Sequence, residues 1–409
     1  MLASWKKGTD CCKWLGVTCL SGDRVTALSL SGQPNNLTTT LTGTISPSLS
    51  KLKYLDGLYL QDLKNLGGPF PDSLFTLPKL LFVYIENNKL SGPIPTNIGN
   101  LIQLEALSLQ GNQFSGPIPS SIAELTQLTQ LKLGGNRLTG TIPLGIQRLK
   151  NLTLLHLERN QLSGPIPDLF SGLSNLRSIT LSNNNFTGTI PGSISALAPK
   201  LAYLELGRNS LTGKIPDFLG KFRALDTLDL SWNHFSGTLV DPFPELHVRG
   251  IESLDLSYNE FHLGRIPEWV TTSPIIYSLK LAKCGIKMKL DEWKPAETYF
   301  YDYIDLSENQ ITGSPVTLLN RTDYLVGFYA SGNKLKFNLE SMRFVKSLKH
   351  LDLSRNLVYG KVPKAISGLS ELNVSYNHLC GQLPSTKFPA TAFAGNDCLC
   401  GSPLPKCKA

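Results

Sequence analysis

Leu104-Glu105-Ala106-Leu107-Ser108-Leu109-Gln110-Gly111-Asn112-Gln113-Phe114-Ser115-Gly116-Pro117-Ile118-Pro119 decides the fold of this 409-residue chain. Its leucines follow L-x-x-L-x-L, the alternation a strand needs to turn its apolar side chains inward and the x residues outward. After Asn112 comes a G-x-I-P segment, whose glycine permits a tight backbone and whose proline fixes one dihedral. The template returns with a period near 24 residues, and periods of that length mean solenoids. Its asparagine falls at Asn88, Asn112, Asn136, Asn160, Asn184, Asn209, Asn233 and Asn259, becomes Cys284, and resumes at Asn309, Asn333, Asn356 and Asn377. The steps are 24 or 25 for most of the chain, with one of 26, and shrink to 23 and 21 at the end. Two further copies precede the ladder. One is Val25, Leu28 and Leu30, followed by an insertion from Pro34 to Thr40; the other is Leu55, Leu58 and Leu60, with an enlarged turn near Asn65. The expectation is fifteen strand units.

Each unit is too small to bury its leucines alone, and stacking joins them into one core. The pattern therefore predicts the α/β repeat class: a right-handed solenoid with a parallel concave β-sheet and G-x-I-P segments on the convex side. Strands spaced about 4.8 Å apart would extend the stack to roughly 70 Å. The recurrent asparagines read as structure, because a buried amide must find backbone partners and one left unmet costs about 1–3 kcal/mol.

Apolar residues make up 41% of the chain and the net charge is +8. That charge suits acidic partners such as pectin-like polyanions. No Lys/Arg run of the density nucleic-acid binding needs is present, and no apolar stretch approaches the roughly 18 residues of a spanning helix. The chain begins within what looks like a capping element and without a signal peptide, so it reads as a mature fragment or truncated form. Solenoid ends need caps, and both ends are cysteine-rich. The expected organisation is a partial N-terminal cysteine cap over 1–24, a solenoid over 25–379 and a C-terminal cysteine cap over 380–409. Of eight cysteines, Cys284 stands alone in mid-solenoid and reads as a buried free thiol. The favoured pairs are Cys12–Cys19, Cys380–Cys398 and Cys400–Cys407, leaving Cys11 without a partner. Zinc is disfavoured by the spacing, and no cofactor is implied. Disulfide caps point to an oxidising, extracellular compartment. N-x-S/T sequons at Asn36, Asn151, Asn185, Asn320 and Asn373 agree with secretion, Asn373 being set apart by its place on a strand.

Binding would use the outward x positions. The central column runs Ser29, Tyr59, Tyr84, Ser108, Lys132, His156, Thr180, Glu205, Asp229, Asp255, Lys280, Asp305, Tyr329, Asp352 and Asn373. Lys132, His156, Arg159, Arg177 and Arg208 make a basic side. Glu205, Asp226, Asp229, Glu252, Asp255 and Asp305 make an acidic one. Like charges on neighbouring strands repel, so their retention suggests a patch for a charged partner; the alternative is ordinary surface charge, with Asp a regular feature of D-L-S repeats. Exposed aromatics favour interfaces, and Tyr84, Tyr203, Trp232, Tyr258, Tyr277, Tyr303 and Tyr329 accompany the charges. The candidate contact band is Lys132, His156, Arg159, Arg177, Tyr203, Glu205, Arg208, Asp226, Asp229, Trp232, Glu252, Asp255 and Tyr258.

The cap stretch Leu2-Ala3-Ser4-Trp5 through Cys11-Cys12-Lys13-Trp14, the run Leu372-Asn373-Val374-Ser375-Tyr376-Asn377-His378-Leu379-Cys380-Gly381-Gln382-Leu383-Pro384 and the terminal Cys398-Leu399-Cys400-Gly401-Ser402-Pro403-Leu404-Pro405-Lys406-Cys407 carry a resemblance. With the L-x-G-x-I-P repeat, they resemble plant polygalacturonase-inhibiting proteins. The resemblance covers both caps and nearly every repeat. It departs in length, since those inhibitors carry about ten repeats, and in the irregular stretch from Val240 to Pro295. It implies a defence-related inhibitor that occludes the cleft of a fungal or insect polygalacturonase, or contacts cell-wall pectin, through its central concave strands. The same architecture occurs in receptor ectodomains that sense a peptide or glycan, with a receptor kinase as possible partner, and in an antifreeze protein. Catalysis is disfavoured: an open sheet offers no enclosed pocket to raise one carboxylate's pKa, and neither G-x-S-x-G nor H-E-x-x-H occurs.

Overall fold

The computed structural model describes residues 2–20, 24–32, 41–237, 251–296, 298 and 301–407. The insertion from Pro34 to Thr40, Asn36 within it, and part of the irregular stretch after Val240 lie outside these residues. The chain forms two compact units, Met1–Ser210 and Leu211–Ala409.

In the first unit the leucine-rich strands stack in parallel from Arg24–Ser31 through Gly57–Gln61, Phe82–Glu86, Ala106–Ser108, Gln130–Lys132, Leu154–His156 and Ser178–Thr180 to Tyr203–Glu205. The capping strand Val17–Leu20 pairs antiparallel with the first of them and carries Cys19, joined to Cys12. A second parallel sheet collects the segments after each ladder asparagine, among them Lys89–Pro93, Gln113–Pro117, Arg137–Gly140 and Gln161–Pro165. Short 3-10 turns such as Ser120–Glu124 and Leu144–Arg148 close each repeat. The second unit repeats the plan from Thr227–Asp229 to Glu371–Asn373. In its C-terminal cap Cys380 and Cys398 face one another on paired strands and are bonded, and Cys400 is bonded to Cys407. Cys11 and Cys284 are free.

The inward leucines form the core: Leu107, Leu131, Leu155, Leu204, Leu254 and Leu279 are all fully buried. The asparagines do what their burial demands. Asn160 donates Nδ2 to the carbonyls of Leu133 at 3.0 Å and Leu157 at 3.1 Å, and its Oδ1 accepts from Leu138 N–H at 3.0 Å. One side chain thus clamps two successive turns, and Asn112, Asn184, Asn259, Asn309 and Asn356 repeat the arrangement. At the substituted rung the Cys284 thiol points at the carbonyls of Leu256 and Ala282, at 3.4 and 3.6 Å. It imitates the amide's donor and lacks its acceptor. The ladder also extends one rung further than the sequence pattern indicates. Asn396, in the cap, donates to Val374 and Phe393 carbonyls and accepts from Leu379 N–H. It lacks the L-x-x-L-x-L signal because Ala392 and Phe393, on a 3-10 turn, replace the strand beneath it.

Candidate functional site

The central column is in register within each unit. Ser29, Tyr59, Tyr84, Ser108, Lys132, His156, Thr180 and Glu205 are successive strand partners in the first unit. Asp229, Asp255, Lys280, Asp305, Tyr329, Asp352 and Asn373 are so in the second. Being outward does not make these residues equally accessible. Ser108 is 1% and Thr180 8% exposed, because longer neighbours lie over them. Glu86 accepts from Ser108 Oγ at 2.6 Å and from Gln61 Nε2 at 2.8 Å; Glu158 accepts from Thr180 Oγ1 at 2.7 Å.

The expected basic side divides on inspection. Arg159, Arg177 and Arg208 are exposed, and Lys132 is half-buried. His156 differs from them in its setting. It is half-buried, its Nε2 lies 2.9 Å from Ser178 Oγ, and burial, reinforced by Lys132 against the opposing pull of Glu158, lowers its pKa below the ordinary imidazole value. Nor are the cations stacked: Arg159 and Arg208 occupy a different column from Lys132, with Asn183 on the rung between them. Tyr203 stands out at 44% exposure and Glu205 is half-buried.

In the second unit Asp229 and Asp255 lie on adjacent rungs, Lys280 separates Asp255 from Asp305, and these carboxylates are partly committed to the fold. Asp229 and Asp255 are register partners. Each accepts from the backbone N–H two residues on, Ser231 at 2.9 Å and Ser257 at 3.0 Å. Asp305 and Asp352 do the same with Ser307 and Ser354, and Asn373 with Ser375. The aspartate of D-L-S is therefore a turn-forming residue, a role that the reading as ordinary surface charge did not include. Burial, then the neighbouring Asp229, raises the Asp255 pKa; Ser257 and Lys280, whose Nζ lies 3.7 Å away, oppose the rise. Asp226 is half-buried and Glu252 exposed beside this column.

A second column was not anticipated. The residue before each ladder asparagine adopts positive φ: Arg159, Arg208, Trp232, Tyr258, Glu308, Arg355 and Tyr376 all lie between 53° and 57°. A bulky residue there costs on the order of 1–3 kcal/mol. The signal that could have exposed this column is the glycine at Gly111, Gly135 and Gly332, each just ahead of its asparagine. Trp232 and Tyr258 occupy adjacent rungs and stack at 4.0 Å between ring centroids, with Trp232 45% exposed. Tyr258 is half-buried against it.

Of the sequons within the described residues, Asn151, Asn185 and Asn320 are exposed. Asn373 is half-buried, with its Oδ1 held by Ser375. Among the described residues, Asp10, Cys11 and Cys12 are the one group spaced to hold a metal; Cys12 is spent in a disulfide.

Comparison with known proteins agrees with this architecture. Residues 126–186 and 174–235, and separately 79–101, 103–125 and 347–369, match leucine rich repeat families, and residues 1–20 match the leucine rich repeat N-terminal domain. The chain is a leucine-rich-repeat solenoid. Polygalacturonase inhibitor 2 of Arabidopsis thaliana is 38% identical over 113 residues, 26% of this chain and 34% of that protein. Leucine-rich repeat protein FLOR 1 of the same plant is 36% identical over 116 residues, 27% of this chain and 35% of that protein. The matches thus span about a third of these relatives' length. Among solved structures, the plant peptide hormone receptor RGFR1 in complex with RGF2 is similar with a TM-score of 0.70 at 26% identity, covering 88% of this chain and 66% of that one. This leucine-rich-repeat protein thus has plant inhibitors and plant receptor ectodomains as its relatives, which are inhibitors or binding proteins rather than enzymes. Among the described residues, no helix is long and apolar enough to cross a membrane.

Proposed function

We propose that this solenoid is a secreted plant recognition protein that inhibits a microbial polygalacturonase by covering it with the exposed face of the leucine-rich strands. The observation that carries the reading is the similarity, at 38% identity, to a polygalacturonase inhibitor. In the first unit Lys132, Arg159, Arg177, Tyr203, Glu205 and Arg208 supply candidate contacts, with His156 as a hydrogen-bonding group. In the second, Asp226, Asp229, Trp232, Glu252, Asp255 and Tyr258 do. Exposed Arg, Tyr and Trp are the side chains that most often carry binding energy, and complementary charge raises association rates. Inhibition needs no chemistry from the solenoid, only burial of the enzyme's cleft. Three disulfides favour an extracellular home. The experiment is residual activity of a panel of fungal and insect polygalacturonases incubated with the glycosylated protein. Saturable inhibition of at least one enzyme is expected; the absence of both inhibition and binding across the panel overturns the reading.

A second reading is a soluble ectodomain that senses a peptide. It is favoured by the likeness to a peptide hormone receptor over 88% of this chain. Capture of an extracellular peptide by a protein that inhibits no polygalacturonase would select it.

A further inference from the structure

In the second unit the strand face continues beyond Tyr258 through the rungs of Tyr303, Gly327, His350 and Glu371. These four are register partners in one column. Two residues further along each strand lie Asp305, Tyr329, Asp352 and Asn373. Gly327, with no side chain, lets neighbouring rings lie over the middle rung. A Cβ there would lie 2.5 Å from Tyr303 Cδ1 and 2.9 Å from Tyr329 Cε2, so both tyrosine rings crowd the space a side chain would fill. Tyr303 lies over Gly327 towards His350, with ring centroids 6.4 Å apart, and remains 36% exposed.

Carboxylates flank the two rings. Tyr329 lies one rung from Asp305 and one from Asp352, which places the two acids roughly 10 Å apart at ordinary strand spacing. From Asp229 to Asn373 the column carries four aspartates and a single lysine, and Lys280 is within 4 Å of Asp255. Among the described residues, neither Asp305 nor Asp352 forms an ion pair. Asp352 Oδ2 accepts from Asn373 Nδ2 at 3.5 Å. Burial raises the Asp305 pKa, and the two hydrogen bonds from Ser307 and the charge of Lys280 only partly oppose it. Glu371 is engaged by His350 Nδ1 at 3.0 Å. The column is thus short of positive charge at the rung where two aromatic rings converge.

We propose that this face docks an extended, basic peptide segment of a partner protein, with one Lys or Arg side chain seated against Tyr303 and Tyr329 above Gly327, between Asp305 and Asp352. Ring faces attract cations, and a half-buried carboxylate without a counter-ion gains most from one. Arginine suits the place better than lysine, because its planar fork stacks on a ring while donating to carboxylates on either side. The inference does not depend on whether the protein inhibits a polygalacturonase.

The test titrates the full chain with three fluorescein-labelled decapeptides of alternating sequence, Arg/Ser, citrulline/Ser and Glu/Ser, and reads anisotropy at low salt. The Arg/Ser peptide is expected to bind at least tenfold tighter than the citrulline/Ser peptide. The double variant Asp305→Asn/Asp352→Asn should remove most of that difference. It preserves the turns, since Asn373 makes the same backbone bond in the same column, and unchanged thermal unfolding would verify this. Tyr303→Leu/Tyr329→Leu should weaken Arg/Ser binding severalfold with the carboxylates intact. As a control, Asp62→Asn/Glu105→Gln, in the first unit, should leave binding unchanged. Equal affinity for the three peptides, or undiminished Arg/Ser binding by the Asp→Asn double variant, overturns the proposal. So does an equal loss in the first-unit control, which would mean attraction to general negative charge.

Discussion

Replacing Asn160 by alanine removes a clamp whose partners are all known. Leu138 N–H, inside the fold, loses its acceptor Asn160 Oδ1. The carbonyls of Leu133 and Leu157 lose a donor each, and that of Glu158 a third, longer one at 3.3 Å. A buried N–H without a partner costs about 1–3 kcal/mol. Carbonyls tolerate the loss of one of two bonds more readily. Adding the two effects, the substitution should destabilise the first unit by about 2–4 kcal/mol. For a domain near 200 residues each kcal/mol lowers Tm by roughly 2–4 °C, so a fall of roughly 5–15 °C is expected. Asn160→Asp is the sharper companion: it keeps an acceptor for Leu138 and sets a carboxylate against three carbonyl oxygens. It should be at least as damaging at neutral pH despite its identical shape. Thermal unfolding by circular dichroism measures both, and hydrogen exchange at Leu138 locates the damage. An Asn160→Ala protein that melts with the wild type, or one whose Leu138 amide stays protected, would refute the clamp.

Further outcomes follow from the same geometry. Burial pushes the Cys284 thiol far above the usual cysteine range, and thiolate is the reactive form, so iodoacetamide should label Cys11 in the folded protein and reach Cys284 only on unfolding; peptide mapping by mass spectrometry reads this, and labelling of native Cys284 would contradict it. The raised pKa of Asp255 means its contribution to stability is present below the ordinary carboxylate range and lost as pH rises through the raised value. Asp255→Asn keeps the acceptor for Ser257 N–H and gives up only an ion pair to a half-exposed lysine, so its Tm should exceed the wild type's at pH 7, with the gap closing towards pH 4. A gap independent of pH would mean the charge is not the cause.

The repeat frame was legible because two periods reinforce one another: alternation within L-x-x-L-x-L sets which side chains face out, and the asparagine step fixes register between strands. Together they place Lys132 beside His156, and Asp229 beside Asp255. What the pattern could not convey was how neighbours use those positions. Ser108 and Thr180 face outward and are nonetheless covered, since Glu86 and Glu158 reach across a rung to bond them. His156 reads as a cation in sequence and is held as a hydrogen-bonded, burial-depressed imidazole. Asp229 reads as surface charge and also closes its own turn. Asn396 was missed because a 3-10 turn replaces the strand on which the pattern depends. Positive φ ahead of each asparagine left a trace in Gly111, Gly135 and Gly332, but Trp232 and Tyr258 in the same column hid it.

The most direct measurement of the central claim is inhibition of a susceptible polygalacturonase by the wild type, by Arg208→Glu/Tyr203→Ser and Trp232→Ser on the strand face, and by Arg148→Glu on the opposite flank. The strand-face variants should fold normally and raise the inhibition constant at least tenfold, while Arg148→Glu, which breaks only an exposed pair with Glu124, should inhibit like the wild type. Undiminished inhibition by both strand-face variants, or its loss only in Arg148→Glu, would contradict the account.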